Sequence, residues 1–156
     1  MLKTIVEQGE KRLEAQCTFA DAQDERGGGL VNAAAALAAA SVALAAGAAS
    51  VKGLNDPLTT GAAVGTIGFT AAAAIALWGL RSTSFHSCGW FPNDFAQDIR
   101  DRRGEKDLLA DFALELQHRL SENKTALDKR GDFYNAGTIA LLVTPVVALL
   151  LAFLSA

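Results

Sequence analysis

Leu30-Val-Asn-Ala-Ala-Ala-Ala-Leu-Ala-Ala-Ala-Ser-Val-Ala-Leu-Ala-Ala-Gly-Ala-Ala-Ser-Val51 contains no charged residue. An α-helix rises about 1.5 Å per residue, so about 20 residues cover the roughly 30 Å hydrocarbon core of a bilayer. Residues 61–80 and 136–156 are two further stretches of that kind, also free of charge. The 14 Lys and Arg and the 17 Asp and Glu are confined to the rest of the 156 residues. This segregation predicts an all-α integral membrane protein with three transmembrane helices. Whole-chain averages, 51 % hydrophobic residues and a mean hydropathy of +0.22, conceal it because they mix spans with polar segments.

The layout follows from the same boundaries. Residues 1–29 read as a cytoplasmic amphipathic helix, 30–51 as the first span and 52–60 as a periplasmic turn. Residues 61–80 form the second span, 81–135 a cytoplasmic aromatic loop with an amphipathic helix, and 136–156 the third span. The first and last helices are expected to be long and to continue into the cytoplasm. Neither polar piece is long enough to build an independent core, so each is expected to pack on the other. The N-terminus is polar and mixed in charge, unlike a secretory signal.

Charge sets the orientation. Lys and Arg number four in residues 1–29, one in 52–60 and nine in 81–135. Cytoplasmic segments are enriched in these residues. The expected protein is therefore a multi-pass protein of the bacterial inner membrane, with its N-terminus cytoplasmic and its C-terminus periplasmic. Cys17 and Cys88 then lie in a reducing compartment and are expected to be free thiols. A net charge of −3 gives no reason to expect a nucleic acid polymer as partner.

The spans differ in kind. The first is alanine-rich, and the second adds Gly61, Gly65 and Gly68. Small residues let helices approach closely, either within one chain or between copies. The third is bulky, and Pro145 is expected to kink it by removing a backbone donor, with Thr144 positioned to satisfy a freed carbonyl. No ionisable residue lies inside any span, which argues against a proton-coupled carrier.

In the polar segments, Val6, Leu13 and Cys17 recur on one helical face, and Leu109, Phe112, Leu116, Leu120, Asn123 and Leu127 form a second stripe. The two faces suit helix pairing, within the chain or between chains. Gly27, Gly28 and Gly29 weaken a helix by about 1 kcal/mol each relative to alanine. They read as a hinge or as a site of close packing, and Gly131 as an interruption before the third span. Phe85-His-Ser-Cys-Gly-Trp-Phe-Pro-Asn-Asp-Phe95 is the densest motif. It reads as an interfacial aromatic belt with a turn, Asn93 capping a short helix, or as a pocket under the membrane. Phe85, His86, Trp90, Phe91, Asn93 and Phe95 are its candidate ligand- or partner-binding residues. His86 and Cys88 supply too few ligands for a metal site. GxSxG, Walker and HExxH motifs are absent, so no catalytic residue and no enzyme activity is expected.

The entry Phe19-Ala-Asp-Ala-Gln-Asp-Glu-Arg followed by Gly27 and Leu30, with Asp24 and Arg26 as the acidic and basic positions, resembles one known group. These are the small bacterial transmembrane effectors of antiphage defence, of the Pycsar-effector and SLATT kind. The span hairpin, cytoplasmic middle segment and final membrane helix extend the likeness. The resemblance implies a signal-regulated effector that forms a homo-oligomer and disrupts or permeabilises the bilayer. It implies a regulatory cyclic nucleotide at most, and no other cofactor. Two alternatives stand beside it: a non-catalytic accessory or scaffolding subunit with a membrane-complex partner, and a holin-like lysis protein.

Overall fold

The computed structural model describes residues 2–81, 85–86, 101 and 104–155. Among them there are three α-helices and no strand: α1 (Leu2–Lys52), α2 (Pro57–Leu80) and α3 (Glu105–Leu154). Each is long and apolar enough to cross a membrane.

Local chemistry sets the ends. Gly53, at φ +94°, adopts the left-handed conformation that terminates helices, and its N–H donates to the Ala49 carbonyl at 3.1 Å. Asp56 then caps α2, its side chain accepting from the Leu58 N–H at 2.9 Å. Pro57 occupies the first position, where its missing N–H and fixed φ suit a helix start. At the other end of α2 the Arg81 guanidinium lies 4.7 Å from the centre of the Trp78 ring. α3 opens with Glu105 and Asp107 in its first turn, where carboxylates favour the helix dipole.

Of the two readings of Gly27–Gly29, a hinge or close packing, the hinge is not seen: the helix runs through them without a break, and the interruption expected at Gly131 does not occur. Gly27–Gly29 lie inside α1 and Gly131 lies inside α3. The helices run on in spite of a summed propensity penalty of a few kcal/mol. At Gly27 an added Cβ would stand 2.6 Å from Leu80 Cδ2, so close packing holds this position.

The chain divides into two units. The polar unit takes its described residues from Met1–Ala22 and Ser82–Asp128. In it α1 and α3 run parallel, since partners advance together along both: Lys3 with Glu105, Gly9 with Leu116, Gln16 with Leu120. Burial along α1 recurs at Val6, Gly9, Leu13, Gln16 and Ala20, alternating three- and four-residue steps. That 3.5-residue period is the seam of a left-handed coiled coil. Leu13 and Leu116, each 2 % exposed, are its centre.

The apolar unit comprises Gln23–Arg81 and Lys129–Ala156, described to residue 155. Its buried face on α2 is Ala62, Gly65, Phe69, Ala72, Ala76 and Gly79, with the same alternating period. The glycines admit neighbouring helices. A Cβ on Gly61 would stand 2.9 Å from Ala152 Cβ and 3.1 Å from the Ala148 carbonyl oxygen. One on Gly68 would stand 2.5 Å from the Thr144 side chain, and one on Gly65 3.2 Å from Ser41 Oγ. Pro145 lies within α3. The neighbouring Thr144 donates to the Ala140 carbonyl at 2.7 Å, one residue before the Leu141 carbonyl that Pro145 frees, so the expected compensation takes a different partner.

Candidate functional site

Three polar side chains of α3 in the polar unit converge on the chain that follows α2. Asn123 stands in the stripe of Leu116, Leu120 and Leu127, a position where an apolar residue is usual. Its side chain is fully buried, at 0 % exposure. It accepts from the His86 N–H through Oδ1 at 2.8 Å, and its Nδ2 donates to the His86 carbonyl at 3.1 Å. A carboxamide thereby replaces the backbone partner that a buried peptide group requires. The two bonds fix the His86 backbone on α3.

With its backbone fixed, the His86 ring reaches Glu122, Nε2 to Oε2 at 2.5 Å. His118, one helical turn before Glu122, brings its own Nε2 to 3.3 Å from the other carboxylate oxygen. The two imidazole centres lie 6.4 Å apart, and they belong to the only histidines in the sequence. The hydrogen bond from His86 is the main cause holding the Glu122 carboxyl below its ordinary pKa; burial opposes it, and the nearby His118 charge assists. Among the described residues no three His, Cys, Asp or Glu side chains are arranged to hold a metal ion.

The sequence-derived candidates fall in different places. Of the aromatic motif, Phe85 and His86 are described and half-buried. Trp90, Phe91, Asn93 and Phe95, with the short helix that Asn93 was expected to cap, lie outside the described residues. Val6, Leu13, Leu109, Phe112, Leu116 and Leu120 lie on the α1 and α3 faces of the polar unit, buried or half-buried. Cys17 lies on the same stretch of α1 but is disulfide-bonded, which corrects the expectation of free thiols. That expectation weighed compartment chemistry alone and had no access to geometry. Gly28, Gly29 and Gly47 meet nothing within 4 Å where a Cβ would stand, unlike Gly27.

A second polar cluster lies in the apolar unit. Arg130 Nη1 donates to Asp24 Oδ1 at 3.0 Å, with the arginine side chain 11 % exposed. Gln23, Gly27, Gly79 and Tyr134 surround the pair, around a cavity of about 20 Å³, room for about one water molecule. A guanidinium stays charged in any environment, so its burial requires this carboxylate. Sequence reasoning noted Asp24 and missed Arg130, Glu122 and the stacking of Arg81 on Trp78. Only the last had a local signal, an aromatic three residues before a cation at a helix end.

Across the face of the polar unit a cavity of about 430 Å³ is lined by Ile5, Gly9, Arg12, Leu116, Gln117 and Leu120, among others. No family model, curated protein or solved structure matches the chain.

Proposed function

We propose that the chain is a signal-regulated effector of the bacterial inner membrane, an antiphage-defence protein that self-associates and disrupts the bilayer. The observation that carries this reading is the outward face of α1. Nothing stands within 4 Å of a Cβ added at Gly28, Gly29 or Gly47, and only 11 % of the most apolar stretch of the helix is buried. The glycines of α2, in contrast, already receive α1 and α3. Small residues facing lipid leave room for the backbone of another copy. The Lys and Arg distribution orients the polar unit toward the cytoplasm, where a signal meets the His86–Glu122–His118 cluster and its surroundings. The protein is not an enzyme and needs no resident cofactor; a cyclic nucleotide is the regulatory ligand that the sequence resemblance suggests.

Expression of the chain alone in a bacterium tests this, with membrane potential and growth recorded with and without added cyclic nucleotides. Depolarisation is expected. Gly47→Ile, which meets no neighbour within the chain, is expected to leave folding intact and to slow depolarisation several-fold. A harmless chain under every nucleotide would sink the reading. A second reading, an accessory subunit of a membrane complex, is favoured by the open cavity between Arg12 and Gln117. It predicts a harmless chain that co-purifies with one fixed partner.

A further inference from the structure

α2 ends on a cation stacked against an aromatic ring. Residues 57–80 carry no charge, and Arg81 is the first charged residue after Asp56. The last turn of the helix is held on two sides. A Cβ on Gly79 would stand 2.7 Å from Phe133 Cβ, and one on Gly27 would stand 2.6 Å from Leu80 Cδ2. The Arg81 N–H donates to the Trp78 carbonyl at 3.3 Å. Trp78 escapes these contacts, at 59 % exposure, and the Arg81 guanidinium lies 4.7 Å from the centre of its ring.

The stack holds the guanidinium in place without using its hydrogen-bonding edges. Among the described residues no acceptor takes a bond from the Arg81 side chain, and no carboxylate pairs with it. Five N–H donors thus stand exposed where the uncharged stretch of α2 stops. The other cations near this level of the apolar unit differ. Arg26 has Glu25 beside it, Lys129 has Asp132 almost one turn further on, and all four are exposed. Arg130 is committed to Asp24. No acidic residue lies within α2 to offset Arg81.

An uncommitted guanidinium beside an exposed Trp at the end of a membrane-crossing helix fits one partner. Trp residues collect at the headgroup level of a bilayer, and the uncharged helix leading to this one is long enough to fill the hydrocarbon. The guanidinium fork presents two parallel N–H groups to a phosphate, and cations at the membrane edge attract anionic lipids. We propose that Arg81 and Trp78 form a binding site for the phosphate of an anionic phospholipid. One uncommitted cation matches a singly charged phosphodiester such as that of phosphatidylglycerol. In phosphatidylethanolamine the ammonium of the headgroup offsets the same phosphate, so that lipid binds less well. The site rests on the membrane placement of α2 given under the proposed function, and not on effector activity.

Native mass spectrometry of the full chain, released from detergent micelles with added lipid, tests the site. Phosphatidylglycerol is expected to form adducts at a several-fold lower concentration than phosphatidylethanolamine. Arg81→Gln is expected to weaken the phosphatidylglycerol adduct about tenfold, as loss of a charge-assisted contact does, and to erase the preference. Trp78→Leu keeps apolar bulk without the ring and is expected to weaken it several-fold. Arg81→Lys keeps the charge without the fork and is expected to fall between parent and Arg81→Gln. Both side chains are exposed, so each variant is expected to melt with the parent in detergent. Arg26→Gln is expected to leave the adduct unchanged. An equal loss in Arg26→Gln and Arg81→Gln would show general attraction by cations and overturn the site, as would equal affinity for the two lipids. Glycerol phosphate is expected not to displace the lipid; displacement at matching concentration would assign the site to a free phosphate and overturn the lipid. Carbonate extraction of membranes from expressing cells reads the placement separately. Release of the chain would defeat the placement and the lipid site with it, whereas a retained chain that leaves cells polarised would sink only the effector reading.

Discussion

The carboxamide of Asn123 carries out two tasks at one buried position. It fills a place in a row of leucines, and it satisfies the backbone N–H and C=O of a residue 37 positions away. Asn123→Ala removes the acceptor and the donor together and leaves His86 N–H and C=O without their partners. A buried unsatisfied group costs about 1–3 kcal/mol, so the variant is expected to lose about that much stability in denaturant titration of the detergent-solubilised protein. Its neighbour Glu122 contributes to the pH response. The folded carboxyl titrates below its ordinary value, so its contribution is fully present above about pH 4.3, the unfolded carboxylate value. It is lost as pH falls through the lower folded value. Glu122→Gln is therefore expected to flatten part of the acid limb of a thermal-stability profile. An unchanged acid limb would assign the contact no energetic weight.

At the scale of helices, the alternating three- and four-residue burial on α1 and α2 explains why glycines of similar appearance differ in consequence. Gly68 faces Thr144, and a Cβ there would stand 2.5 Å from two of its side-chain atoms. Gly47 meets nothing within 4 Å. Gly68→Ile forces overpacking that costs about 1–3 kcal/mol and is expected to lower the melting temperature in detergent. Gly47→Ile is expected to melt with the parent protein. Equal melting of the two variants would contradict the helix packing. The spacing of Gly61, Gly65 and Gly68 was legible in the sequence. The neighbour each one meets was not, because a helical repeat tells which residues share a face but not what covers that face. The same limit applied to Gly27–Gly29, where propensity alone favoured neither bend nor helix and the contact of Gly27 with Leu80 decided.

For the molecule as a whole, the sequence made the class plain because transfer of charge into hydrocarbon is costly enough to sort residues by segment. Three uncharged stretches among 14 basic and 17 acidic residues suffice to expect three membrane-crossing helices. What sequence reasoning could not supply are the pairings across long separations: Gln16 with Leu120, Arg130 with Asp24, and His86 with Glu122 and Asn123. Nothing in the local chemistry of Arg130 marks it as buried, since its partner sits on another helix. The disulfide of Cys17 was hidden for the same reason, with a compartment argument standing in for geometry.

Those long separations have a consequence for biosynthesis. Asp24 leaves the ribosome 106 residues ahead of the arginine that neutralises it, and Gln16 precedes Leu120 by 104. At about 5–20 residues per second, α1 and α2 spend roughly four to fifteen seconds together before α3, which ends at Leu154, is complete. Until Arg130 is made Asp24 lacks its guanidinium partner, and the surfaces of Gly61 and Gly68 that later receive Ala152 and Thr144 stand open. The nascent hairpin is thus the stage at which the chain is most exposed to mispairing with another copy, and release of α3 ends it.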